Sequence, residues 1–309
     1  MDIQIDKLKL KGHGSFYLRE GWLRKGLKEI INNPAAFSSD DIIDKLGVGA
    51  NMVNAIKYYL EATGLIESYK GVKGRKEYSL TENCGVLLKK YDEYFEDIFS
   101  IWILHYNICT KPDFATTWYL FFNGIYSDEI KREDIKKQLR KIVEYNFPKK
   151  SYSVKSLDDD IYCLIRSYDV SSRKLKGKNP EDNLICPFSE LDLISEEKNL
   201  AGEKVVLRRM PDFNKLDPMM VLYVLVDTMK SDSEESKPSI SIDDVLNENG
   251  NLGKLFNLDR AILSLYLDEL IERKYISVNR NVLDMIYLEK PISKIEIIKN
   301  YFGDEGNNA

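Results

Sequence analysis

Histidine is scarce in this chain: there are two, His13 and His105. Cysteine is little more common, and Cys84, Cys109, Cys163 and Cys186 stand far apart. A structural zinc site needs clustered Cys and His ligands, and no C-x-x-C pair starts one. Two isolated histidines also cannot build a His-Asn-His or twin-histidine nuclease centre. There is no P-loop, no G-x-S-x-G elbow and no G-x-G-x-x-G fingerprint. Long apolar runs are missing too. The longest, Ile98 to Ile108, falls short of the ~20 residues that span a bilayer, so no membrane partner is expected. The start MDIQIDKLKLKG has no signal-peptide core, and scattered thiols suit a reducing compartment, so a cytoplasmic location is expected. Net positive charge is absent as well. Lys and Arg number 45 against 50 Asp and Glu, a formal charge of -5, so any nucleic-acid role must rest on local charge.

Apolar and aromatic residues are plentiful. The chain is 43% hydrophobic with 19 Tyr and 12 Phe, which excludes a disordered polymer. Its 309 residues suffice for two domains or more. Trp22 to Ile31 spaces its apolar residues helically, and Pro34 ends that helix. Ser38 to Asp41 offers N-cap oxygens to a short helix over Asp41 to Leu46. Gly47 to Ala50 reads as a tight turn. Asn51 is expected to cap a third helix, Met52 to Thr63, stopped by Gly64. Leu65 to Tyr69 and Glu77 to Leu80 read as strands around a basic tip, Lys70 to Lys76. Three helices and a hairpin is the winged helix-turn-helix order.

Further along, Tyr91 to Ile108 and Thr117 to Phe122 are strongly aromatic and suit a core. Lys131 to Tyr145 and Val154 to Tyr168 read as amphipathic helices. Ser171 to Lys178 reads as a basic loop, and Leu200 to Arg209 as a hairpin. Met219 to Met229 reads as an apolar helix, and Ser231 to Ser239 as a linker. Ile242 to Asn247, Asp259 to Arg273 and Tyr275 to Leu288 repeat the order helix, helix, hairpin. The expected fold is therefore mainly α (α+β). Residues 1–90 form a winged helix-turn-helix domain, 91–212 a helical middle domain, and 213–309 a winged-helix-like unit.

The third helix turns Asn51, Asn54, Lys57 and Tyr58 outward in this reading. Asn can read adenine in the major groove, and Lys can reach phosphate or guanine. The hairpin tip gathers Lys70, Lys73, Arg75 and Lys76 around two glycines, which suits gripping backbone phosphates. Double-stranded DNA is the partner this pattern fits; winged helices also serve as protein-docking modules. The corresponding C-terminal helix shows Asp259, Asp268, Glu269 and Glu272, an acidic face that phosphate repels. Lys131–Lys150 and Ser171–Lys178 could extend a DNA track or be solvated surface. Asp158, Asp159 and Asp160 with Glu181 and Asp182 could hold Mg2+ or Mn2+, or be helix N-terminal charge and a loop. Gly124-Ile125-Tyr126 spells half of a GIY-YIG motif with no second half. Glu181-Asp182 with Glu196-x-Lys198 only loosely imitates a PD-(D/E)xK nuclease.

Seven blocks in order resemble a bacterial family of unknown function, the SspB-like family of DNA phosphorothioation systems. They are Gly12 to Leu23 (GHGSFYLREGWL), Leu46 to Val53, Tyr91 to Asp97, Ile101 to His105, Ala115 to Tyr119, Ser153 to Tyr168 and Glu181 to Ile194. Matching positions are His13, Arg19, Trp22, Asn51, His105, Asp160, Cys163, Arg166, Glu181, Asp182, Cys186 and Glu190. Gly14 and Tyr162 depart from the acids expected there. The resemblance implies DNA nicking that opens the backbone for sulfur insertion as an anti-phage mark. It also implies a cysteine desulfurase, an ATPase and a sulfurtransferase as partners. On that implication Asp160, Glu181 and Asp182 would hold the metal, and Arg166 would neutralise charge developing on phosphate. The alternative is a DNA-recognition or adaptor subunit without catalysis, or a transcriptional regulator.

Overall fold

Helix α1 (Trp22–Asn32) buries Trp22, Leu23, Leu27 and Ile30 on one face, and Gly26 lies among them. Glycine weakens a helix by roughly 1 kcal/mol relative to alanine, so its place needs a reason. The reason is contact: a Cβ there would sit 2.5 Å from Leu60 and 2.9 Å from Ile56. In this computed structural model, residue 3 and residues 5–71, 74–148, 151–169, 185–229, 238–280 and 284–303 are described. They divide into two units, Met1–Arg209 and Met210–Ala309. The boundary expected near residue 90 falls inside the first unit, and the one near 212 falls beside its end.

In the first unit α1 is followed by α2 (Ile42–Leu46), which Gly47 ends with φ 65°. Asp41 stands at the start of α2 but makes no side-chain cap bond. Helix α3 (Ala50–Ala62) begins after Gly49. Asn51, expected as its cap, lies inside the first turn and caps nothing, because the chain enters the helix two residues earlier. Strands β1 (Ile66–Lys70) and β2 (Lys76–Leu80) pair antiparallel, from Ile66 opposite Leu80 to Lys70 opposite Lys76. Helix α4 (Leu87–Tyr91) leads to α5 (Ile98–Cys109) and α6 (Thr116–Gly124). Both α5 and α6 are apolar nearly all round, as central helices must be. Strand β3 (Glu129–Lys131) precedes α7 (Arg132–Asn146), which buries Ile135, Leu139 and Val143. Helix α8 (Val154–Tyr168) buries Leu157, Ile161, Leu164 and Ile165. Strands β4 (Ile194–Lys198) and β5 (Lys204–Arg208) complete a sheet of order β3-β5-β4. This hairpin starts earlier than the pattern suggested. Asn199 accepts from the amides of Ala201 and Glu203, making the segment expected as a strand start into the turn.

The second unit opens with α9 (Pro218–Thr228), buried throughout most of its length, with Asp217 accepting from Met219 N–H. Strand β6 (Ser239–Ser241), α10 (Ile242–Asn247), α11 (Leu252–Leu255) and α12 (Arg260–Glu272) follow. Strands β7 (Ile276–Asn279) and β8 (Met285–Leu288) pair with β6 in the order β6-β8-β7. Helix α13 (Lys294–Tyr301) closes it with a capping box between Ser293 and Glu296. The chain is thus mainly α with small antiparallel sheets. Among the described residues, no helix is long and apolar enough to cross a membrane.

Gly26→Leu should force α1 away from Ile56 and Leu60. A loss of about 1–3 kcal/mol in urea unfolding is expected from overpacking; an unchanged midpoint would refute the close approach.

Candidate nucleic-acid interface

Among the described residues, the N-terminal segment 5–11 belongs to no sheet. Instead, alternate amides are held by side chains. Ile5 N–H donates to Asn146 Oδ1 at 3.1 Å, Lys7 N–H to Asp113 Oδ1 at 2.9 Å, and Lys9 N–H to Thr116 Oγ1 at 3.0 Å. Lys11 N–H reaches both oxygens of Asp160 at 3.0 Å. The spacing of two is that of a strand, with α6, α7 and α8 supplying acceptors in place of a neighbouring chain. The segment is a strap across the first unit.

Asp160 is the best-filled of these acceptors. It is 2% exposed, receives Thr117 Oγ1 at 3.1 Å, and has His13 Nε2 3.0 Å from Oδ1, off the line of a straight hydrogen bond. His13 is fully buried among the rings of Tyr58, Tyr59 and Trp118. Burial opposes charge on His13, but Cys163 and Asp160 outweigh it and raise its pKa to about 10. Ser15 N–H donates to Nδ1 at 3.2 Å, a bond that works against the charged ring because it needs Nδ1 without a proton. Tyr59 holds the following turn, donating its hydroxyl to Phe16 C=O at 2.9 Å.

The three aspartates at the start of α8 therefore diverge. Asp158 takes Arg140 at 2.6 Å, Asp159 takes the Lys11 ammonium at 2.7 Å, and Asp160 faces inward. Magnesium needs several open oxygen ligands. Among the described residues, no group of three or more His, Cys, Asp or Glu could hold a metal ion. Arg166 is half-buried in the last turn of α8, and no described carboxylate pairs with it. Glu181 and Asp182 lie outside the described residues, as do Lys73 and the loop Ser171–Lys178. Asp160 therefore belongs to no metal-ligand group among the described residues.

The surface of α3 and the hairpin is better defined. Asn51 and Asn54 are exposed and Lys57 is half-exposed. Lys70 and Arg75 are exposed, with no ion pair to a described carboxylate. Lys70 and Lys76 stand directly opposite each other, a like-charged pair that a sheet disfavours. Lys76 is relieved by Glu61 of α3, at 3.1 Å. Burial opposes the charge on Lys76, but Glu61 outweighs it and raises its pKa. Tyr58 corrects the expected outward face. It is 5% exposed and stacks on Phe114 at 5.3 Å, since Gly12 lets the strap close over it.

Several described cations of the other basic stretch are paired with acids. On and beside α7, Lys136 pairs with Glu133, Lys137 with Asp134, Arg132 with Glu196, and Lys131 with Glu203. In the second unit Asp259, Asp268 and Glu272 of the acidic stretch are exposed, with Asp268 paired to Arg280 and Glu269 to Arg273. The strap was missed by the sequence reading. Its signal was legible in Lys7-Leu8-Lys9-Leu10-Lys11, a period-two alternation in which lysines share one side.

Asp160→Ala should leave Lys11 N–H, Thr117 and His13 without their common acceptor. A loss of about 3–5 kcal/mol in denaturant unfolding is expected, as for breaking a buried charge pair. A loss below about 1 kcal/mol would mean that the strap is held without it.

Two comparisons bear on identity. The chain is similar to a magnesium ion-bound crystal structure of SspB, with TM-score 0.82, 23% identity, 97% of this chain covered and 90% of that one. A second SspB crystal structure matches at TM-score 0.81 with the same identity and coverage. This likeness establishes the fold. No curated protein matches the chain in sequence. The sequence profile of the protein family of unknown function DUF4007 matches residues 10–302, and the chain belongs to that family.

Proposed function

We propose that the chain is a DNA-binding component of a bacterial DNA phosphorothioate-modification system. In this reading α1, α2, α3 and the β1–β2 hairpin act as a winged helix-turn-helix, with α3 in the major groove and the hairpin on the backbone. The observation that carries it is a set of exposed or half-exposed cations without described ion-pair partners, Lys57 on α3 with Lys70 and Arg75 on the hairpin, together with the exposed amides Asn51 and Asn54 of α3. Such cations release counterions from phosphate, while Asn can pair with adenine. A docking module for proteins has no need of them. The phosphorothioation context rests on the seven-block resemblance, which also implies a cysteine desulfurase, an ATPase and a sulfurtransferase as partners.

Nicking is the second reading. It is favoured by the similar fold of a magnesium ion-bound SspB. In this chain its carboxylates would be Glu181 and Asp182, with Arg166 against the phosphate. Asp160 is then a positioning residue for the strap.

Replacing Lys57, Lys70 and Arg75 with alanine should lower the slope of log binding constant against log salt by about 2.7, at ~0.9 for each phosphate no longer neutralised. Gel shifts across a salt series measure this, and an unchanged slope would remove the proposed surface. For nicking, supercoiled plasmid with magnesium or manganese should yield open circles, and Glu181→Ala with Asp182→Ala should abolish them. Equal product from that variant would exclude the pair.

A further inference from the structure

We infer that the N-terminal strap is a second DNA-contacting element, in which Lys7 and Lys9 bind the phosphates that flank the groove entered by α3. The inference rests on the DNA-binding reading above and names residues outside the helix and hairpin.

Asn54, Lys57 and Glu61 share one face of α3, at successive turns. Lys57 lies about 9 Å along the axis from Asn51 at 1.5 Å per residue, and the major groove is about 12 Å wide. Groups at and beyond Lys57 therefore meet the backbone at the groove's edge when the first turn reads bases. The strap arrives at that point. Lys9 Nζ lies 3.5 Å from the ring centre of Phe114 and 5.8 Å from that of Tyr58, the residue next to Lys57. Lys76 closes on Glu61 from the hairpin, and Lys111 Nζ donates to the Glu61 carbonyl at 2.7 Å. Burial is the main cause that lowers the pKa of Lys9; Glu61 opposes it, and Lys7, Lys76 and Lys57 lower it further, so these cations and Glu61 contribute to its electrostatic surroundings. A phosphate beside Lys7 and Lys9 would offset this repulsion.

The strap is also built to present these groups. The amides of Lys7, Lys9 and Lys11 are tied down at 2.9–3.0 Å, so the backbone loses little further freedom on binding. Lys9 is already ordered over two rings. Lys11 is spent on Asp159 and does not belong to the phosphate-binding group.

The test uses the full chain, a mixed-sequence duplex and a salt series. Lys7→Gln with Lys9→Gln should lower the salt slope by about 1.8, at ~0.9 per phosphate. Lys7→Arg with Lys9→Arg should keep the wild-type slope, which separates charge from packing on Phe114. If the glutamine variant keeps the wild-type slope while the Lys57, Lys70 and Arg75 variant lowers it, the strap does not touch DNA and the helix–hairpin surface stands. If the arginine variant loses slope as the glutamine variant does, packing rather than phosphate binding is the strap's role. If the wild type shows no salt-dependent binding, the DNA-binding reading fails and this inference fails with it.

Discussion

One buried carboxylate organises the first unit. Asp160 is removed from water, and an uncompensated charge there would cost several kcal/mol. It is compensated by a backbone amide and an imidazole of the strap, Lys11 and His13, and by the Thr117 hydroxyl of α6. Each group satisfied is also a segment placed. Thr117 ties α6 to α8, Lys11 ends the strap, and His13 packs the strap against Tyr58 and Tyr59 of α3. The strap is thereby fastened against α3, which Lys111 also holds through the Glu61 carbonyl.

The helices of the chain were legible because their apolar spacing is local. α1, α7 and α8 each show it within a dozen or so residues, and the structure places them as read. What failed was non-local or needed one exact boundary. Asn51 and Gly49 compete for the start of α3, and only the backbone path decides between them. Tyr58 looks like a surface residue on a helical wheel. It is buried because Phe114 and the strap, distant in sequence, cover it. α13 lies in a stretch to which the sequence pattern assigned no element, though Ser293 and Glu296 carry a capping signature at the right spacing.

The candidate site divides along the same line. A basic residue is visible in sequence, but its partner is not. The i,i+3 pairs Lys136–Glu133 and Lys137–Asp134 could be read from spacing. Arg140–Asp158 and Lys131–Glu203 join distant segments, and they pair cations of the expected DNA track with acids. Lys57, Lys70 and Arg75 have no ion pair to a described carboxylate, and Glu61, on the same face of α3 as Lys57, is taken by Lys76. Asp160 shows the reverse case. Its acidity suggested a metal, yet its surroundings supply donors rather than further acids, so its chemistry here is that of an acceptor for amide, hydroxyl and imidazole.

Charge balance limits how such a surface can work. The chain carries -5 overall, so at long range it repels a polyanion. The Debye length is about 8 Å at physiological ionic strength, which removes most of that repulsion beyond the immediate interface. Attraction then comes only from cations that touch phosphate directly. A compact group on α3, the hairpin and the strap meets this condition, whereas the same number of lysines scattered among acids would not. Exposed acids such as Asp259, Asp268 and Glu272 add a second effect. On the proposed DNA-binding reading they would penalise approaches that present them to phosphate.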